Sequence, residues 1–128
     1  MLLVDRDTWY NVYSERTGFN NIVLGGSSLW TDLDNINSFN GAFQISSKLL
    51  TSLKGSEGTI SSWNVSLPSA KEISLTSANY SGILKLENSY PDLGTVDISN
   101  SSISLTLNNL QSLKTLKAVG CKGATLSV

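Results

Sequence analysis

The 128-residue chain carries 22 Ser, 10 Thr and 12 Asn, so a third of it is small uncharged polar side chains, and only 15% is charged, against about 25% in an average soluble domain. Nine Lys+Arg against ten Asp+Glu leave a net charge of -1, with no basic footprint for a nucleic-acid backbone or an anionic membrane surface. With no His and a single Cys, a His-based zinc site, Ser-His-Asp or Cys-His catalysis and an internal disulfide are excluded, and no cofactor or metal site is expected. The 40% hydrophobic content, with 19 Leu, is nevertheless enough apolar surface for the core of one folded domain.

In chain order, residues 1–7 place Asp5 and Asp7 where a signal peptide needs a basic stretch before an apolar run, and no window approaches the ~18 apolar residues of a membrane span. Membrane insertion is not expected. Next, Trp9-Tyr10-Asn11-Val12-Tyr13 and Phe19-Asn20-Asn21-Ile22-Val23-Leu24 flank a five-residue loop that Gly18 closes. This predicts a β-hairpin within residues 1–26 that caps the remainder of the chain or docks to a partner. Trp9 and Tyr13 share a face of its first strand. There they either fill a small core or offer rings to a sugar or a protein.

From residue 27 onward the sequence repeats. Leu110-Gln-Ser-Leu113-Lys-Thr-Leu116-Lys-Ala118-Val-Gly-Cys121 has the spacing of Tyr90-Pro-Asp-Leu93-Gly-Thr-Val96-Asp-Ile98-Ser-Asn-Ser101 and of Leu67-Pro-Ser-Ala70-Lys-Glu-Ile73-Ser-Leu75-Thr-Ser-Ala78. Two weaker copies begin at Ser47 and Ser27, so the units start near 27, 47, 67, 90 and 110, at intervals of 20, 20, 23 and 20 residues. Each unit has a second apolar position 16 or 17 residues after its start, at Phe43, Trp63, Ile83, Leu107 and Leu126. A coil of this length sends apolar side chains into one interior from a short strand and from a return segment. Period-two alternation, as in Ile73-Ser74-Leu75 and Val96-Asp97-Ile98, marks the strand, and stacked copies give a parallel sheet. The return segments carry no helical periodicity. The three extra residues of the third unit are expected near Glu87-Asn88-Ser89, as a bulge before Tyr90.

Over residues 27–128 the pattern LxxLxxLxLxx(N/C) resembles the leucine-rich repeats of the short bacterial type. That resemblance implies a mainly β, right-handed solenoid with short parallel strands, here preceded by the hairpin cap. The family sets Asn or Cys at the twelfth position to tie neighbouring coils together. Here the column reads Ser38, Gly58, Ala78, Ser101 and Cys121, so a related β-solenoid is the alternative. The pattern still runs at Val128, and continuation or self-assembly through an open C-terminal end is expected.

Outward side chains of the strand fall at the sixth, eighth and tenth positions. The sixth column is Asp32, Ser52, Glu72, Thr95, Thr115; the eighth is Asp34, Lys54, Ser74, Asp97, Lys117; the tenth is Ile36, Ser56, Thr76, Ser99, Val119. A polar face of hydroxyls and alternating charge suits a glycan or protein surface, and Asp32, Asp34, Lys54, Glu72, Ser74, Asp97 and Lys117 are its candidate contacts. The plain counter-reading is structural: Asp34 with Lys54 and Asp97 with Lys117 are adjacent-strand ion pairs worth about 0.2–1 kcal/mol each.

Carboxylates are the remaining catalytic groups. Asp32 and Glu72, two strands apart, would lie roughly 9–10 Å from one another, near the separation in inverting glycosidases. No cleft or aromatic wall accompanies them in sequence, and a non-enzymatic role is expected. The run Asp32-Leu33-Asp34-Asn35-Ile36-Asn37 fails as a calcium loop, because Ile36 holds a ligand position and Phe43 stands where the bidentate Glu belongs. Cys121 falls on an interior position and reads as a packing thiol. The expected function is a recognition or assembly module of a larger bacterial surface or phage tail protein, extracellular or virion-borne, with a structural subunit piece or a polysaccharide-active enzyme as alternatives.

Overall fold

The computed structural model describes residues 2–4, 22–24, 31–87, 90–121 and 126–127. Among them the regular elements are all strands: β1 (Leu2–Val4), β2 (Ile22–Leu24), β3 (Asp32–Asn37), β4 (Asn40–Ser46), β5 (Ser52–Ser66), β6 (Glu72–Glu87), β7 (Thr95–Asp97), β8 (Ser102–Asn108), β9 (Thr115–Lys117) and β10 (Leu126–Ser127). Every pairing is parallel, and the chain winds as a β-solenoid of about four turns. One face stacks β3, the first parts of β5 and β6, β7 and β9. The other stacks β1, β2, β4, the later parts of β5 and β6, β8 and β10.

Three local devices turn the chain at fixed places in each coil. Small turns open the strand: the N–H groups of Ala70, Leu93 and Leu113 donate to the carbonyls of Leu67, Tyr90 and Leu110 at 3.1–3.4 Å. In the weaker copy the Ser47 hydroxyl stands in for that carbonyl, accepting from Leu50 N–H at 3.2 Å, which is why a buried polar residue holds the position of a leucine. The hydroxyls of Ser69 and Ser112 donate to the carbonyls of Lys48 and Pro91 in the preceding coil, at 2.6 and 2.7 Å, and tie one corner to the next. The far corner is a stack of left-handed residues, Ser38, Glu57, Ser77, Asn100 and Gly120, with φ of 54°, 58°, 51°, 60° and 73°. This conformation swings the chain from one sheet face to the other.

The interior is aliphatic: Leu33, Leu53, Ile73 and Val96 form one buried column, and Ile36, Leu75 and Ile98 part of the next. Across from them lie Ile22, Phe43, Leu24, Ile45, Leu84, Leu86, Leu105 and Leu107. Phe43 stacks on Trp63 with ring centroids 5.6 Å apart. Tyr90, in the leucine column that Leu67 opens, is 3% exposed and donates its hydroxyl to the Val65 carbonyl at 3.1 Å.

Several expectations are corrected by the register. Ile36 does not point outward; the ladder slips by one residue between Leu33 and Ile36, pairing Ile36 with Gly55 and Asn37 with Ser56. The bulge turns Ile36 into the core, where it is fully buried. The same slip moves Ser38 to the corner and puts Phe39 in the twelfth column above Gly58. A Cβ on Gly58 would lie 2.5 Å from the Phe39 ring and carbonyl, so the weak second copy has glycine because the neighbouring coil fills its space. Ile83 is 54% exposed instead of interior; Leu84 and Leu86 take that role. The cause is the position of the extra residues: four steps from Asn79 to Ile83 face two from Ser102 to Ser104. Two of the three therefore sit at residues 80–82, and not before Tyr90. In the hairpin segment, Ile22–Leu24 pairs in parallel with Leu2–Val4 and with β4, and Trp9, Tyr13 and the loop between the expected strands lie outside the described residues.

Candidate functional site

The strand face arises from alternation: every second residue goes inward, and its neighbours keep partial contact with solvent, as in the Ser52–Leu53–Lys54–Gly55 and Glu72–Ile73–Ser74–Leu75 segments. The sixth column stands in register through all five coils, Asp32 beside Ser52, Ser52 beside Glu72, Glu72 beside Thr95 and Thr95 beside Thr115. In the eighth column Lys54, Ser74, Asp97 and Lys117 are in register, whereas Asp34 lies at the bulge.

The charges couple differently from the expected pairs. Lys54 Nζ meets Glu72 Oε2 at 3.3 Å, diagonally across β5 and β6. Asp34 Oδ1 instead accepts from the Ser52 hydroxyl at 2.7 Å, since the bulge withdraws it from Lys54. Asp97 Oδ1 accepts from the Ser99 N–H at 2.9 Å and serves its own turn; it forms no ion pair with Lys117 among the described residues. Both members of the Lys54–Glu72 pair are about 40% exposed (43% and 38%), so solvent keeps its contribution within about 1 kcal/mol. A hydroxyl ladder continues beside it: Thr76 donates to Ser56 at 3.2 Å, and Ser99 Oγ accepts from Val119 N–H at 3.3 Å. Asp32 and Glu72 are separated by Ser52. Trp9 and Tyr13 are not among the described residues.

A second polar feature has no counterpart in the repeat pattern. At the β6 insertion the surface opens into a hollow of about 430 Å3, lined by Ile60, Asn79, Tyr80, Ser81, Ser102 and Ser104 among others. It adjoins one of about 330 Å3, which shares Asn79 and Ser102 and reaches Asn100 and Gly120. The signal available in the sequence was Gly82 within a strand pattern, which marks a bulge or a close approach.

Among the described residues no three Asp, Glu or Cys side chains converge as a metal site, and no helix is long and apolar enough to cross a membrane. Comparison with family models, curated proteins and solved structures finds no match to this chain.

Proposed function

We propose that the chain is a non-catalytic recognition module of a larger surface-exposed or virion protein, of the bacterial surface or phage tail kind, and that its polar strand face binds a glycan or a protein. The observation that carries this reading is the unbroken in-register ladder of Asp32, Ser52, Glu72, Thr95 and Thr115 with Lys54, Ser74, Asp97 and Lys117 beside it. Such a surface supplies closely spaced donors and acceptors without an apolar patch. Its geometry suits a leucine-rich-repeat-like coil. Ser101 donates to the Leu75 carbonyl at 2.7 Å, and Cys121 donates to the Ile98 carbonyl at 3.0 Å. They do so at the position where that family uses asparagine.

A second reading, a structural piece whose face is covered in an assembly, is favoured by Val119, which is 75% exposed at the end of the tenth column. Sedimentation of the chain alongside a glycan and host-surface protein panel separates the two. A monomer that binds a panel member, and loses at least about fivefold in affinity on Glu72→Gln with Asp97→Asn, supports recognition. Self-association without any binding supports assembly, and binding indifferent to both substitutions removes the strand face from consideration.

A further inference from the structure

The hollow beside β6 exists because two strands of unequal length are forced into one ladder. Asn79 pairs with Ser102 and Ile83 with Ser104, so Tyr80, Ser81 and Gly82 must pass opposite Ile103 alone. On the other side the register with β5 ends at Ile60–Tyr80. Ser81 and Gly82 therefore have no partner in either register, and the sheet surface is interrupted there. Bulges of this kind redirect side chains and accompany binding sites.

The lining has a definite chemistry. Among the described residues, neither this hollow nor the adjoining one is lined by Asp, Glu, Lys or Arg, although charges alternate over the strand face. Instead, hydroxyl and amide groups that both donate and accept surround one apolar patch made by the Tyr80 ring, with Ile60 buried beneath the lining. The Ser102 hydroxyl donates to Asn79 Oδ1, which leaves the Asn79 amide protons as donors toward the hollow. Tyr80 is held by a close approach: a Cβ on Gly82 would lie 2.6 Å from its Cζ and 2.7 Å from its Oη. Gly82 has no positive φ, so a methyl group at this position would be met by the phenol ring and not by backbone strain, and Tyr80 would have to move aside to admit it.

We propose that this hollow is a carbohydrate subsite for a neutral saccharide. The apolar patch would take the C–H face of one ring, and Asn79, Ser102 and Ser104 would meet its hydroxyls. At about 430 Å3 it falls within the ~300–1,000 Å3 of small-molecule sites. The continuation past Asn79 toward Asn100 gives room for a further sugar unit. The site lies beyond the corner from the strand face and does not depend on that face being a binding surface.

The test is an amide NMR titration of the full chain with maltohexaose, cellohexaose, chitohexaose and mannohexaose, with hexagalacturonate as the charged counterpart. At least one neutral probe is expected to shift the amides of Tyr80, Ser81, Gly82, Ser102, Ile103 and Ser104, with the uronate causing no shift. Asn79→Ala should weaken binding roughly two- to tenfold, as loss of one or two hydrogen bonds does. Gly82→Ala should weaken it at least as much by displacing Tyr80, with the other strand amides unmoved in the free protein. Shifts confined to Thr95–Asp97 and Thr115–Lys117 would overturn the subsite while supporting the strand face. Absence of shifts for every neutral probe at about 10 mM, a response to the uronate alone, or undiminished affinity in both variants would also overturn it.

Discussion

Tyr90 shows how one side chain joins two coils. Its ring fills a leucine position, and its hydroxyl reaches the Val65 carbonyl at 3.1 Å. Burial disfavours the phenolate, and the pKa is pushed up from 10.0 to about 12. The folded chain therefore keeps a proton that the unfolded chain releases near pH 10. The associated stability is complete below pH 10 and is lost as pH rises toward 12, by about 2–3 kcal/mol. Denaturant melts of the parent and Tyr90→Phe at pH 8 and pH 11.5 check this: the variant should lose about 1 kcal/mol at pH 8 through the missing hydrogen bond and show a shallower alkaline decline. The left-handed corner gives a residue-scale gain. Glu57 and Ser77 have φ of 58° and 51°, which costs an L-residue about 1–2 kcal/mol relative to glycine. After the entropy that glycine loses on folding, Glu57→Gly and Ser77→Gly should each raise stability by about 0.5–1 kcal/mol in urea unfolding.

At the scale of the element, β5 and β6 differ from the short strands because both cross the corner without a break, and β5 also offsets an irregularity that begins in β3. The extra residue of β3 is offset within the β4–β5 ladder, whose register changes between Gly41 and Ala42, so the 20-residue spacing returns. Phe39 depends on the same slip and enters the core over Gly55 and Gly58. Gly58→Ala should cost about 1–3 kcal/mol by overpacking, because the Phe39 carbonyl 2.5 Å away is backbone and cannot rotate aside. Gly94→Ala is the control: its nearest atoms are 3.7 Å away, and it should change stability by no more than about 0.5 kcal/mol. Thermal melts of the two variants distinguish crowding at one glycine from a general intolerance of methyl groups in the coil.

At the scale of the molecule, each coil among the described residues contacts its neighbours along the stack and hardly anything else, so stability is distributed by position in the stack. β5 and β6 are paired on both sides, while Leu110, Leu113 and Leu116 of the coil carrying β9 are only partly buried. Native-state hydrogen exchange should accordingly show amides of Leu53, Ile73 and Leu75 protected well above those of Thr115–Lys117. Equal protection throughout would mean that the coils unfold as a single unit.

The columns that repeat were open to reading from the sequence. Leu53, Ile73 and Val96 are interior because a strand half-buried against a common core must alternate, and Asp32, Ser52, Glu72, Thr95 and Thr115 share a ladder because equal coil lengths keep equal positions in register. Where lengths are unequal, pattern was not sufficient. Whether an added residue is absorbed in a loop or within a strand depends on which placement keeps the neighbouring coils paired, and only stacking decides that. Ile36 went inward, Ile83 went outward and Asp34 left Lys54 for Ser52 because the slips fell inside β3 and β6. The hollow beside Asn79 has the same origin. It is formed by a mismatch between two coils, and no single coil's sequence contains it.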